Sequence, residues 1–270
     1  QKLVPMMNAG VTPIEVYIDE CRKQGMEFLA GFRMNDRHGH NPDFFEKLSR
    51  EHPEWILRNA DGSVVAPTAS SADPRSREAG CGLDHSADGV RDFMFSIMDE
   101  AAQRFDIDGI ELNYHRLPWC FTIGKAAGHH AIMTGFVRRV RKMLDEVGKR
   151  KGRKLLLGAR VLQSLEGCRE MGLDVPTWVK EKLVDYIAPG DWAYTDFNAK
   201  YEEFVQLGRA HGCYVYPEVE CSLGNVRWRK LKEVVTPDQY RAALQNIWAA
   251  GADGFSTENW ARPEAEISGL

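Results

Sequence analysis

Short apolar segments with strand character alternate with helical segments along almost the whole chain. Seven predicted strands lie near residues 26–33, 81–84, 107–113, 155–161, 184–188, 213–219 and 253–258. Helical periodicity or capping signals mark intervals such as 87–104, 175–182, 198–210 and 237–250. Because strands that alternate with helices form parallel sheets with right-handed crossovers, the pattern predicts an α/β fold.

The number of predicted strands helps to distinguish between the kinds of α/β fold. A (β/α)8 TIM-type barrel has eight strands, and the predicted helix at residues 13–24 precedes the first of the seven found here. We therefore expect residues 1–270 to form a single (β/α)8-like domain whose first strand and last helix are missing or altered, as in a chain truncated at both ends. The rival is a doubly wound open sheet, but no glycine-rich nucleotide loop of the GxGxxG or GxxxxGK[ST] type occurs.

Composition excludes several classes of partner. The net charge is −4, which gives no electrostatic footprint for nucleic acid. No apolar run approaches the ~20 residues of a membrane span. The six cysteines contain no CxxC pair, which argues against a zinc knuckle, and their scatter suits buried thiols as well as disulfides. Residue 1 is Gln, which fits a removed leader or a start inside a longer protein, so the compartment stays open.

The segment at residues 106–119 begins as a strand and ends in polar chemistry. Side chains on a strand alternate between its two faces. One face here is apolar, whereas the other carries a carboxylate, an amide and an imidazole. The two sets are Ile110, Leu112 and Tyr114, and Glu111, Asn113 and His115. A core strand has no structural use for the polar set, because an unpaired buried charge is costly. A solvated edge strand is the alternative.

Polar residues also follow the other predicted strands, where a barrel gathers its chemistry. The strand-end residues are Arg33, Asp36, His38, Asp84, His85, Glu111, Asn113, His115, Arg116, Arg160, Asp191, Trp192, Glu218, Glu220, Glu258, Asn259 and Trp260. Their recurrence favours an active site, although Arg33 and Arg160 could simply neutralise inward carboxylates. Asp185 and Asp253 precede strands, which is typical of caps or turn residues.

The strand-end residues resemble two kinds of site, a metal centre and a carboxylate pair. The HxH spacing of His38 and His40 resembles a metal pair, but the later strands end without histidines, so we expect no metal and no cofactor. Glu111, with Glu220 or Glu218, suggests a carboxylate pair across the barrel mouth. In glycoside hydrolysis one carboxylic acid protonates the leaving oxygen while the other carboxylate attacks the anomeric carbon or activates water.

Several of these motifs resemble the glycosyl-hydrolase-like barrels related to the GHL10 group. The resembling segments are residues 31–36 with His38, residues 52–55, residues 83–84 before 90–92, and residues 108–113 with Arg116 and Pro118; weaker ones are 172–175 and 215–217. The resemblance implies a (β/α)8 fold and a carbohydrate substrate, and it slightly favours a periplasmic or secreted location. Where the family has Asp, this chain has Asn113, and an amide cannot be a general acid.

Our leading hypothesis is a glycoside hydrolase that acts on a polysaccharide or oligosaccharide. Its catalytic candidates are Glu111 and Glu220, with Glu218 and Glu258 in reserve and Asn113 at the family's carboxylate position. Its substrate-binding candidates are Arg33, Asp36, His38, Asp84, His115, Arg116, Arg160, Asp191, Trp192 and Trp260. Two alternatives are open: a non-catalytic carbohydrate-binding barrel, for which Asn113 argues, and a polysaccharide lyase that uses His115 or Tyr114 on a uronate.

Overall fold

The computed structural model describes residues 4–35, 51–63, 82–115, 118–191, 195–220 and 236–258. Seven parallel strands occur there: β1 (Leu29–Arg33), β2 (Gly109–Asn113), β3 (Leu156–Leu162), β4 (Tyr186–Gly190), β5 (Tyr214–Val215), β6 (Glu218–Glu220) and β7 (Ser256–Glu258). The first five pair in chain order, and β6 pairs with β7. Backbone bonds from Asp253 N to the Val215 carbonyl and from Ser256 N to the Pro217 carbonyl join the two groups.

The strand order is therefore that of a (β/α)8 barrel, and the predicted fold class is confirmed. Among the described residues no pairing joins β7 to β1, so these residues do not close the barrel. The helices are α1 (Val4–Asn8), α2 (Pro13–Lys23), α3 (Asp88–Arg104), α4 (His130–Lys151), α5 (Leu165–Glu170), α6 (Val175–Lys180), α7 (Glu202–His211) and α8 (Pro237–Ala249). None of the described helices is long and apolar enough to cross a membrane.

Local signals in the sequence explain where these helices begin and end. Helix α8 starts at the predicted capping box, in which Thr236 and Gln239 exchange side-chain and backbone hydrogen bonds. Helix α2 starts in the same way at Thr12 and Glu15. Helix α4 ends at Gly152, which has a left-handed backbone conformation with φ of 69°. The outward side chains of the strands and the inner faces of these helices form the main apolar core.

Two predicted strands differ from the structure. Of the strand predicted at 81–84, the described residues 82–84 are not a barrel strand, because Leu83 makes only an isolated antiparallel bridge to Ile56, and β1 pairs directly with β2. Residues 213–219 were predicted as one strand, but the pairing changes partner at residues 216–217, between β5 and β6. Pro217 has no N–H to donate at this point, which accounts for the break.

Aspartates at the N-terminal ends of the strands tie neighbouring strands together. Asp108 accepts a hydrogen bond from Phe28 N, Asp185 from Leu157 N, and Asp253 from Val215 N, at 2.7, 2.9 and 2.9 Å. Each of these aspartates precedes one strand and binds the start of the adjacent strand. The prediction that Asp185 and Asp253 are turn or cap residues is consistent with this role.

Four of the six cysteines lie in the described part of the chain, and all four are free thiols. They are Cys21, Cys120, Cys168 and Cys213. Burial raises the pKa of Cys168 and of Cys213 to about 12. These two thiols are packed as apolar side chains and do not supply a nucleophile at neutral pH.

Candidate active site

Strand register places the candidate residues in rows across the inner face of the sheet. Asn113 lies between Arg33 on β1 and Arg160 on β3, and Glu111 lies one row deeper between Gly31 and Gly158. The opposite face of β2 is apolar as predicted, because Ile110, Leu112 and Tyr114 are fully buried. The polar face of β2 thus points into the barrel.

Arg160 joins two of the predicted carboxylates. Its Nε atom lies 2.7 Å from Glu111 Oε1, and its Nη1 atom lies 2.5 Å from Glu218 Oε2. The Glu111 and Arg160 side chains are 17% and 13% exposed, whereas Glu218 is 1% exposed. One guanidinium therefore bridges β2 and β6. It neutralises inward carboxylates, as the alternative to a sugar-binding role predicts for this arginine.

His115 supplies a second partner to Glu218, and this partner is cationic when the imidazole is protonated. Its Nδ1 atom lies 2.9 Å from Glu218 Oε2, and its Nε2 atom contacts the Val161 carbonyl. Because both ring nitrogens face acceptors, the imidazolium form suits this position. The His115 ring is fully buried, so in this conformation it contacts protein groups.

The close approach of His115 and Glu218 depends on Gly190 at the end of β4. A Cβ atom at Gly190 would lie 2.6 Å from the Glu218 Cβ and 3.2 Å from the His115 Cε1. A side chain at this position would push β6 away from β4. A glycine at position 190 is therefore needed for β6 to approach β4 this closely.

The buried charges are balanced when His115 is protonated, with two cations facing two carboxylates. Burial on its own raises the pKa of Glu218, but His115 and then Arg160 outweigh it and hold that pKa below its usual range. Among the described residues nothing donates a hydrogen bond to Glu218 Oε1. Glu218 is thus a buried anion with one oxygen bound by cations.

Tyr186, at the start of β4, is a site residue that sequence reasoning missed. Its hydroxyl donates a 2.7 Å hydrogen bond to Glu111 Oε2. Burial, and next the Glu111 carboxylate, raise the pKa of Tyr186 far above its usual range, so the hydroxyl keeps its proton. The available signal was parity, because Tyr186, Ala188 and Gly190 share the inward face of β4.

Asn113 has a local structural role. Its Oδ1 atom accepts a 3.0 Å hydrogen bond from His115 N, two residues further on, and the residue is 8% exposed. This Asx-type bond shapes the turn after β2 and leads the chain to His115. An aspartate would offer the same acceptor.

Glu220 lies two residues beyond Glu218 and on the same face of β6. The Glu220 backbone is fixed from both sides by Thr195, whose Oγ1 atom accepts from Glu220 N and donates to the Glu220 carbonyl, both at 2.9 Å. Tyr240 donates a further bond of 3.2 Å to that carbonyl. Glu220 is 2% exposed, and its Cα partner on β7 is Glu258. Glutamates therefore end both β6 and β7.

Asp84 and His85 lie in a loop that packs against the ends of β1 and β2. Asp84 accepts hydrogen bonds from Thr122 Oγ1 at 2.9 Å and from Ser86 N at 2.8 Å. His85 is fully buried, and this burial lowers its pKa to about 4. Asn35, which was not a candidate, holds the loop by bonding both backbone groups of Leu83. Packing and hydrogen bonds to neighbouring protein groups therefore hold this loop in place.

The remaining candidates have less defined surroundings. Arg33 lies on β1 and Asp191 directly follows β4. Six candidates fall outside the described residues, namely Asp36, His38, Arg116, Trp192, Asn259 and Trp260. Within the described ranges no group of three His, Cys, Asp or Glu side chains is arranged to hold a metal, and the His38 and His40 pair lies outside these ranges.

Parallel strands in barrel order, with charged residues at their C-terminal ends, place this chain among the (β/α)8-type proteins. It is similar in fold to alpha-L-fucosidase isoenzyme 2 from Paenibacillus thiaminolyticus, with a TM-score of 0.50 and 14% identity over 91% of this chain and 36% of that one. A maltogenic alpha-amylase, AmyB from Thermotoga neapolitana, matches with a TM-score of 0.46 and 14% identity over 90% of this chain and 48% of the amylase.

The more specific match is to a family. The model of the family Glycosyl hydrolase-like 10 matches residues 1–132 of the 270. The resemblance to the GHL10 group predicted from the motifs is therefore confirmed for this part of the chain, which includes β1, β2 and Glu111.

One curated protein also matches in sequence. The large ribosomal subunit protein uL18 of Thermoplasma volcanium is 27% identical over 129 residues, covering 48% of this chain and 65% of that protein. The chain thus spans less than two thirds of the ribosomal protein, of the fucosidase and of the amylase.

Proposed function

We propose that this chain hydrolyses glycosidic bonds in a polysaccharide or oligosaccharide, with Glu111 and Glu220 as the reacting carboxylates. The observation that carries the proposal is Glu111 itself, an inward carboxylate one row below the C-terminal end of β2 that Arg160 and Tyr186 hold in place. Glu220 lies on the same face of β6 as Glu218, which shares the Arg160 guanidinium with Glu111. The family match over residues 1–132 supports a carbohydrate substrate.

The surroundings of the two carboxylates suggest different roles. Glu111 contacts a guanidinium and accepts a hydrogen bond from a hydroxyl, and these two contacts orient the carboxylate for a role as nucleophile or base. Glu220 would then donate the proton to the leaving oxygen. The proposed sugar contacts are Arg33, Asp36, His38, Arg116, Asp191, Trp192 and Trp260.

The test is digestion of a glycan library by the wild-type protein and by Glu111→Gln and Glu220→Gln. We expect new reducing ends from at least one glycan, and a loss of about 10²–10⁴-fold in rate for each variant, which is the usual size of general acid–base help. Glu181→Gln is the matched control, because Glu181 pairs with Arg138 on the outer surface. Cleavage that proceeds equally in both site variants would refute the assignment.

A non-catalytic sugar-binding barrel is the second candidate, and one observation favours it. Both oxygens of Glu111 are engaged, by Arg160 and by Tyr186, and the Asn113 amide oxygen is engaged by His115 N. If this candidate is right, the same library gives retained glycans but no product. A lyase gains less support, because Tyr114 lies in the core on the opposite face and both His115 ring nitrogens face protein acceptors.

A further inference from the structure

Tyr186 and Glu111 form a contact that neither the sequence motifs nor the family match singles out. The Tyr186 hydroxyl donates to Glu111 Oε2 at 2.7 Å, while Arg160 Nε holds the other oxygen, Oε1, at 2.7 Å. Each oxygen of Glu111 therefore has its own donor, one neutral and one cationic. Two donors on separate oxygens fix the rotation of a carboxylate as well as its position.

Packing sets the position of the Tyr186 ring independently of this hydrogen bond. Gly158 is the Cα partner of Tyr186 on β3, and a Cβ atom there would collide with the tyrosine ring. On the other side the Tyr216 ring lies 5.6 Å away, centroid to centroid, at an interplanar angle of 53°. The glycine makes room for the ring, and Tyr216 limits its movement. The hydroxyl is thus presented to Glu111 by a packed scaffold.

We propose that Tyr186 is a positioning residue, which holds the Glu111 carboxylate in the orientation needed for the hydrolysis proposed above. The inference rests on that proposed function. The charged and titratable groups around Glu111 are Arg160 on β3, Tyr186 on β4, and, through Arg160, Glu218 on β6 and His115 after β2. Without the Tyr186 hydroxyl, Oε2 loses its neutral donor, and among the described residues Arg160 is left to orient the carboxylate.

The experiment compares Tyr186→Phe with Tyr216→Phe, both of which remove one hydroxyl and keep the ring. Among the described residues the Tyr216 hydroxyl makes no side-chain hydrogen bond. On a glycan that the wild-type protein cleaves, we expect Tyr186→Phe to lower kcat about 10- to 100-fold, since the lost bond is to a charged group. KM should change less than twofold, because the lost bond orients a carboxylate and does not itself bind substrate. Tyr216→Phe should match the wild type.

A second measurement needs no substrate. In protein labelled with ¹³C at the glutamate carboxyl, Glu111→Gln identifies the Glu111 signal, and we expect the chemical shift of that signal at pH 7 to change in Tyr186→Phe but not in Tyr216→Phe. If the Glu111 signal has the same chemical shift in the two Phe variants, the positioning role is refuted. If the shift occurs but no glycan is cleaved by the wild type, the proposed hydrolysis fails and the positioning of Glu111 stands.

The Glu111→Gln variant keeps the inference testable if Tyr186→Phe does not fold. In protein labelled with ¹³C at the tyrosine Cζ atom, Glu111→Gln should shift the signal of one tyrosine at pH 7, because the Tyr186 hydroxyl then faces an amide in place of a carboxylate. A tyrosine spectrum identical to that of the wild type would overturn the contact on which the inference depends.

Discussion

Carboxylates occupy both ends of the parallel strands, but they bind different partners at each end. At the N-terminal end, Asp108 accepts from a backbone N–H and from Arg22 and Arg153. Toward the C-terminal end, Glu111 and Glu218 contact only side chains within the described part of the chain, and Glu218 Oε1 has no donor there. The first arrangement ties strands together. In the second arrangement the polar side chains are held in place by contacts with one another, which is typical of a ligand-binding site.

The largest expected difference between the two ends is in stability after removal of one charge. Arg160→Met leaves Glu111 and Glu218 without their shared cation, and breaking a buried pair in this way costs about 3–5 kcal/mol of unfolding free energy. Asp108→Asn keeps an acceptor for Phe28 N and loses charge-assisted bonds worth about 1.5–3 kcal/mol. Urea denaturation of both variants at pH 7 measures the difference. A larger loss for Asp108→Asn would reverse our comparison of the ends.

A smaller effect is expected in the acid dependence of stability. Glu218 has a folded-state pKa below its ordinary value of 4.5, because His115 and Arg160 outweigh the effect of burial. A depressed folded-state pKa stabilises the protein above the unfolded pKa, and this stabilisation is lost as the pH falls through the folded-state value. We expect the free energy of unfolding to fall below about pH 4.5 by up to about 1.4 kcal/mol per pH unit from this group.

Urea titrations of Glu218→Gln between pH 2.5 and 7 test this acid dependence. The variant is less stable at pH 7, but its acid slope should be shallower than that of the wild type. Asp108, whose pKa is also lowered, by Arg22 and Phe28 N against its burial, provides the matched case at the other end, and Asp108→Asn should flatten the slope too. A slope that is unchanged in Glu218→Gln would show that this carboxylate is not held as an anion.

The smallest effect is expected for Asn113→Asp. An aspartate keeps the acceptor for His115 N, and its charge lies in the same row as Arg33 and Arg160, so the unfolding free energy should change by less than about 1 kcal/mol. Cleavage of a wild-type substrate should change less than tenfold, because the side-chain oxygen at this position is already used by the turn. A rise of about 10²-fold or more would mean that position 113 carries a catalytic carboxylate.

Periodicity predicted the parts of the fold that repeat. The alternating parity of residues 110–115 correctly separated the core face of β2 from the polar face, and the capping box at Thr236 located helix α8. The prediction of a barrel strand at residues 81–84 was wrong for its described residues, 82–84. A segment this short has the same sequence pattern whether it pairs within a sheet or makes an isolated bridge to a loop.

The site was predicted less completely than the fold. The sequence indicated Glu111, Arg160 and Glu218 as strand-end residues, but their contacts depend on side-chain reach across strands distant in sequence. Tyr186 was missed because a tyrosine in an apolar strand is usually a core residue. Its role depends on Gly158, which leaves space for the tyrosine ring, and on Glu111, which accepts a hydrogen bond from the hydroxyl. The register of β2, β3 and β4 brings these residues together.

The aspartate links at the N-terminal strand ends have a consequence for recombining this chain with others. Each link joins residues contributed by two successive strand–helix modules, such as Asp185 with Leu157 N or Asp253 with Val215 N. If a recombination junction lies between two modules, the aspartate comes from one parent chain and the backbone N–H that it binds comes from the other. Each junction of the chimera then combines an acceptor and a donor from different parents. If Asp108 and the residues around Phe28 are exchanged together, the alignment between β1 and β2 is preserved.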